Sequence, residues 1–97
     1  MKKLYVVVRK DLNKSQQAVQ AGHALAEHVL LNKHGCWDNG TLVYLGARNE
    51  DELKSLTKKL EFDRICHTTF CEPDIGNELT AVASLGNNKH FKTMNLL

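Results

Sequence analysis

The chain has 97 residues, 42% of them hydrophobic and 25% charged, with a formal net charge of +2. That length predicts one domain over residues 1–97, and the composition excludes a disordered chain. With 13 Lys and Arg against 11 Asp and Glu, a strongly basic protein that grips nucleic acid by overall charge is excluded as well.

Residues 4–8, "LYVVV", form a continuous β-branched apolar run and predict a strand buried on both faces. The polar "RKDLNK" ends it. A helix follows, with Asn13 as N-cap and Gln16 three residues later as the partner of a capping box. Its pattern runs to about His34, where Gly35 is a natural stop. "CWDNG" is a turn-rich connection, and residues 41–47, "TLVYLGA", predict a second strand. Residues 49–60 predict a second helix capped by Asn49. Glu50, Asp51 and Glu52 suit its positive end, Lys58 and Lys59 its negative end, and Leu53, Leu56 and Leu60 its buried stripe. Residues 64–70 predict a third strand, residues 71–78 a loop held by Pro73 and Gly76, and residues 79–85 a fourth strand. The small residues of that last strand predict a closely packed helix. Residues 86–97 carry a polar "GNNKH" and then "FKTMNLL", which offers a hydrophobic end for docking.

The order β-α-β-α-β-β implies parallel βαβ units with right-handed crossovers. The last two strands, joined by roughly eight residues, are an antiparallel hairpin or separate neighbours.

Charge is local. Lys2, Lys3, Arg9, Lys10 and Lys14 make the N-terminal region basic, and Lys54, Lys58 and Lys59 form a second group that reads as solvated surface. Cys36, Cys66 and Cys71 show no CxxC spacing and predict reduced thiols rather than a disulfide framework or a zinc site. The apolar run after the basic start is too short for a signal peptide, and no segment is long enough for a membrane span. A cytoplasmic location is the expectation.

The first helix raises the functional question. At about 100° per residue, Ala18, Gly22, Leu25, Ala26 and Val29 share one face, which is the expected buried stripe. Gln16, Gln20, His23 and Glu27 form a polar stripe beside it. His23 and His28 lie about 140° apart on the same scale, so they do not form a shared metal site. The polar stripe is either solvated surface or one wall of a ligand site. Its start, directly after the first strand, favours the second reading, because ligands of open α/β sheets bind beyond the carboxyl ends of strands. The loop of residues 71–78 places Glu72, Asp74 and Glu78 within seven residues. It is either a polar turn or a fixed general acid/base carboxylate at the same edge, if the third strand runs parallel to the first. A Cys71–His67 nucleophile is the weaker alternative, because Cys71 is expected past the strand end.

The motifs "YVVVRKDL", "AVQAGHA", "GNELTAVASLG" and the terminal "MNLL" together resemble the type 2 peptidyl-tRNA hydrolases, the archaeal and eukaryotic class. Arg9, Asp11 and Leu12 match that family's Arg-x-Asp-Leu strand end. Ala18, Gln20, His23 and Ala24 match its helix motif, and Trp37 stands where the family often has a tryptophan. The resemblance implies a three-layer α/β/α sandwich around a four-stranded mixed sheet with one antiparallel strand. It implies hydrolysis of the ester between a peptide and the 3′ ribose of tRNA, with peptidyl-tRNA as partner and no metal or cofactor. A homodimer is compatible with it. On this resemblance Asp11, His23 and Glu72 bind, orient or activate water, and Gln16 and Gln20 position substrate. Asp74 is the alternative to Glu72 at the acidic position, and Thr80 fits the threonine that opens the last strand. Arg9, Lys10 and Lys14 would contact tRNA phosphates. Gln16 stands where the family has a lysine, and "EPDIG" replaces its Asp-Ala-Gly-x-Thr loop. A non-catalytic tRNA- or protein-binding member of the same fold is therefore the alternative.

Overall fold

The structure is a computed structural model and describes residues 2–32 and 37–97. It contains β1 (Lys3–Arg9), α1 (Lys14–Leu31), β2 (Thr41–Ala47), α2 (Glu50–Phe62), β3 (Thr68–Glu72), a 3-10 turn (Pro73–Ile75) and β4 (Glu78–Leu85). The strands form one sheet in the order β2-β1-β4-β3. β1 is parallel to β2 and antiparallel to β4, and β3 is antiparallel to β4. β4 is thus the single reversed strand, and β3 runs parallel to β1. The carboxyl ends of β1, β2 and β3 therefore share one edge of the sheet.

The helices cover opposite faces, as an α/β/α sandwich requires. Val6, Val8, Ala81 and Ala83 pack with Ala21 and Ala24 of α1. Val7, Leu45, Leu79 and Val82 pack with Leu53, Leu56 and Leu60 of α2. The run Val6–Val7–Val8 is wholly buried because alternate side chains enter the two layers. No helix among the described residues is long and apolar enough to cross a membrane.

Four expectations need correction. In α1 the buried residues are Gln20, Ala21, Ala24 and His28, whereas Ala18, Gly22, Ala26 and Val29 are exposed and Leu25 is half-buried. The true stripe is rotated by about 130° from the apolar one, at 100° per residue. The physical reason is shape and hydrogen bonding: alanine meets alanine across the α1–β4 contact, and the buried polar residues find partners on β3 and β4. The third strand begins at Thr68 rather than residue 64, because residues 64–65 still close the end of α2. Arg64 N donates to Glu61 O, Ile65 N donates to Leu60 O, and Arg64 takes a left-handed φ of 56°. The expected loop shrinks correspondingly, with Cys71 and Glu72 in β3, Glu78 in β4, and Gly76 at φ 72° completing the turn.

Both caps form. Asn13 accepts from Gln16 N at 2.8 Å, and Asn49 accepts from Glu52 N at 2.9 Å. The Gln16 side chain does not complete a capping box but instead accepts from Gln20. The stop at Gly35 lies outside the described residues. The C-terminal segment docks through buried Phe91 and half-buried Met94. Its last residues then pair with the open side of β2, where Gly46 N donates to Asn95 O and Leu97 N to Tyr44 O. This covers an edge that would otherwise expose unpaired backbone groups.

Candidate active site

The shared edge is organised first by Arg9. Its guanidinium forks onto Asp11, with Nη2–Oδ2 2.8 Å and Nε–Oδ1 3.0 Å. It also reaches Glu78 Oε1 at 2.7 Å and Leu79 O at 3.3 Å. Arg9 is 7% exposed, so these bonds join the end of β1 to the start of β4 with little competition from water. The Arg9 fork holds the Asp11 carboxyl below the usual carboxylate range, and the same bonds raise the Arg9 pKa. The charges of Arg9 and Asp11 are largely matched to each other and to Glu78.

Gln17 ties the turn between β1 and α1 by donating to Leu12 O at 2.7 Å and to Lys10 O at 3.2 Å. One helical turn on lies Gln20, wholly buried. Its Nε2 donates to Glu72 Oε1 at 2.8 Å and to Gln16 Oε1 at 3.2 Å, and its Oε1 accepts from the Thr80 hydroxyl at 2.7 Å. A buried amide needs such partners. Here they link α1 to β3 and β4. The Gln20 hydrogen bond is the main reason the Glu72 carboxyl is held below its ordinary pKa. The Asp74 N–H at 3.4 Å and the charge of His23 add to it. His23 itself lies flat on Phe70, with ring centroids 4.5 Å apart and planes 6° from parallel.

Thr80 reaches Gln20 because of a β-bulge. Phe70 pairs with Ala81 and Cys71 with Leu79, so Thr80 is an extra residue without an opposite number. The insertion reverses the alternation of β4. Leu79 consequently shares the α2 layer with Val82, while the hydroxyl of Thr80 enters the α1 layer.

Gln16, Gln20, Glu72 and Thr80 are thus one hydrogen-bonded group, with His23 beside it on Phe70. Asp74 contributes its backbone N–H, and its residue is exposed. Lys14 is exposed at the first position of α1. The Lys10 side chain leaves in the other direction, across Gly46 of β2. Of the weaker alternative, His67 Nδ1 is paired with Ile65 O, and Cys71 is exposed at the bulge. His28 lies apart from His23, buried against Thr68 with Nδ1···Oγ1 3.3 Å.

A family model described as peptidyl-tRNA hydrolase PTH2 matches residues 2–89. The chain belongs to the PTH2 family. No curated protein matches it. Among solved structures, it is similar to the protein of unknown function Atu0240 from Agrobacterium tumefaciens strain C58. The TM-score is 0.74 and the identity 14%, over 99% of this chain and 97% of that one. At that identity the likeness is one of fold.

Within this PTH2 chain the residues that sequence reasoning missed are Phe70, the platform under His23, and Gln17, the clamp on the turn before α1. Phe70 carried no signal beyond strand propensity. Gln17 stands one position from Gln16, where helical periodicity assigned it no role. Chemically, the group offers a carboxylate open to water, an imidazole beside it and amide donors fixed by buried bonds. Such groups can orient a water molecule and donate hydrogen bonds to a developing negative charge.

Proposed function

We propose that this chain hydrolyses the ester between a peptide, or an N-blocked aminoacyl group, and the 3′ ribose of tRNA, and so returns tRNA to translation in the cytoplasm. The observation that carries the reading is the buried Gln20 amide, which fixes the Glu72 carboxylate on one side and the Gln16 amide on the other. Water adds to the acyl carbon, and the acyl–oxygen bond breaks. The peptide leaves with a free carboxylate, and the tRNA 3′ oxygen takes a proton. Glu72, ionised at neutral pH, accepts a hydrogen bond from that water and aims it. Its depressed pKa suits it to orienting water better than to keeping the proton. His23, stacked on Phe70, is the side chain suited to pass the proton onward. Gln16 Oε1 is held by Gln20, which leaves the Gln16 Nε2 to donate to the developing oxyanion. Thr80 orients Gln20, and Arg9 with Asp11 braces the strand ends that carry the site. Lys14, exposed at the same edge, takes a tRNA phosphate.

Incubation with N-acetylaminoacyl-tRNA tests this. Wild-type protein should release the acyl group, with kcat falling on the order of 10²-fold in Glu72→Ala. Release by wild type no faster than by Glu72→Ala would overturn the proposal. The neutral Gln16 in the family's lysine position favours one second reading, a tRNA-binding member without turnover. Salt-sensitive tRNA binding with no ester release would select it.

A further inference from the structure

A concavity that the ester site does not use lies on the other face of the sheet. It is a groove of about 900 Å³ between α2, the end of β2 and residues 89–95. Ligand pockets of that size are ordinarily walled by apolar side chains. This one has Leu56 and Met94 as its large apolar members and is otherwise lined by charged and polar groups.

Its charges are unequally committed. Arg48 neutralises Glu52, with Nε–Oε2 2.6 Å and the backbone N–H on Oε1 at 3.2 Å. Lys10 and Lys59 have no carboxylate within 4.0 Å among the described residues. Lys89 is 3.7 Å from Asp63 with its side chain 76% exposed, an arrangement worth little and readily exchanged for a phosphate. Asp51 is the remaining carboxylate, in the first turn of α2 where the helix dipole favours it. The uncommitted charge of the groove is positive.

The groove is also joined to the ester site. The Lys10 backbone is pinned between the two halves of the molecule, with its N–H on Ala47 O at 2.7 Å and its C=O held by Gln17 of α1. Its side chain lies along Gly46, where a Cβ would collide with the Lys10 methylenes. A glycine inside a strand marks a close approach, and here the approach is made by Lys10, whose backbone is bonded to both β2 and α1. From Asn49 to Lys59 the α2 wall is roughly 15 Å long at 1.5 Å per residue, a length suited to several linked phosphates rather than one ion.

We infer that this groove is a second binding site for RNA backbone, which holds the body of the tRNA phosphate by phosphate through Lys10, Lys59 and Lys89 while the 3′ end occupies the Gln20–Glu72 site. The inference rests on the proposed substrate, and its test does not depend on turnover. Binding of deacylated tRNA is followed between 50 and 200 mM KCl, a range over which phosphate contacts are known to weaken. The proteins compared are wild type, the double variant Lys59→Gln/Lys89→Gln, the control Lys58→Gln outside the groove, and Gly46→Ala. All must show the wild-type urea midpoint. The double variant should lose about two from the salt slope and about tenfold in affinity. Gly46→Ala, which displaces Lys10 without changing charge, should weaken binding several-fold. Lys58→Gln should stay close to wild type. Equal effects of Lys58→Gln and the double variant, or an unchanged slope in the double variant, would overturn the inference. So would displacement of tRNA by inorganic phosphate at low millimolar concentration, the mark of a single-anion site. Turnover separates the two readings. If the ester site is real, the double variant lowers kcat/KM for N-acetylaminoacyl-tRNA relative to the same ester on a CCA trinucleotide. If neither ester is cleaved while the slope still changes, the hydrolytic reading fails and the groove stands.

Discussion

Gln20→Glu is the sharpest perturbation of the proposed site, because it changes one nitrogen to oxygen and little else in shape. Gln20 is wholly buried and presents its Nε2 to two acceptors, Glu72 Oε1 at 2.8 Å and Gln16 Oε1 at 3.2 Å. An ionised carboxylate at position 20 would oppose Glu72 directly. The less costly state keeps a proton on residue 20 and donates it to Glu72, as paired carboxylates do. The unfolded chain has no such constraint and releases that proton near pH 4.3. Holding it at pH 7 therefore costs about 3.7 kcal/mol, from 1.36 kcal/mol per pH unit. The folded pKa of residue 20 is raised in this variant. Its native state is therefore undiminished below about pH 4.3 and loses stability as the pH rises toward the folded value. Urea unfolding of wild type and variant at pH 7, 6 and 5, followed by circular dichroism, measures the difference at each pH. The deficit should shrink by about 1.4 kcal/mol per unit on acidification. A deficit that is constant or grows toward pH 5 would refute the reasoning, since the amide would then not be facing Glu72.

Two further perturbations test the frame around the site. Arg9→Met removes the cation between Asp11 and Glu78, whose side chains are 39% and 45% exposed and rehydrate in part. The expected loss is about 1–2 kcal/mol at pH 7. Because the Asp11 pKa is depressed in the fold, the loss should be full above about pH 4 and fade as the pH falls further, as acid titration of both proteins would show. His28 is buried against Thr68, and burial lowers its pKa. Its neutral form therefore supports the fold fully above about pH 6.5, and that support is lost as the pH falls from there toward the depressed folded value. Wild-type Tm should drop between pH 7 and pH 5 more steeply than that of His28→Gln. Parallel Tm curves would contradict the assignment.

Much of the architecture was legible because it rests on local patterns. "LYVVV" announced a strand buried on both sides, Asn13 and Asn49 announced caps, and Leu53, Leu56 and Leu60 announced the buried face of α2. The face of α1 was not legible, because apolarity is a poor guide where a helix packs on alanines. Ala18, Gly22 and Val29 look like core yet are exposed, while Gln20 looks like surface and is buried with every polar atom paired. The bulge that turns Thr80 toward α1 was equally hidden. Its trace is the three-residue spacing of Leu79 and Val82, which no regular strand would place on one face. Matching single residues to a family motif selected Glu72, Gln20 and Thr80 as candidates. Only the folded chain brings them together, since residues 20 and 72 belong to different elements. The match also grouped Arg9 with Lys10 and Lys14 as phosphate contacts. In the fold, Arg9 is occupied by two carboxylates, while Lys10 extends into the α2 groove.

The central claim is that water, oriented by Glu72, cleaves the acyl–oxygen bond of an ester on the 3′ end of tRNA. The direct measurement is hydrolysis of N-acetylaminoacyl-tRNA in water enriched in oxygen-18, with mass analysis of both products. The account predicts acyl release by wild type, one heavy oxygen in the freed carboxylate, none in the tRNA, and loss of the reaction in Glu72→Ala. Release that Glu72→Ala matches, or heavy oxygen found in the tRNA product, would contradict it.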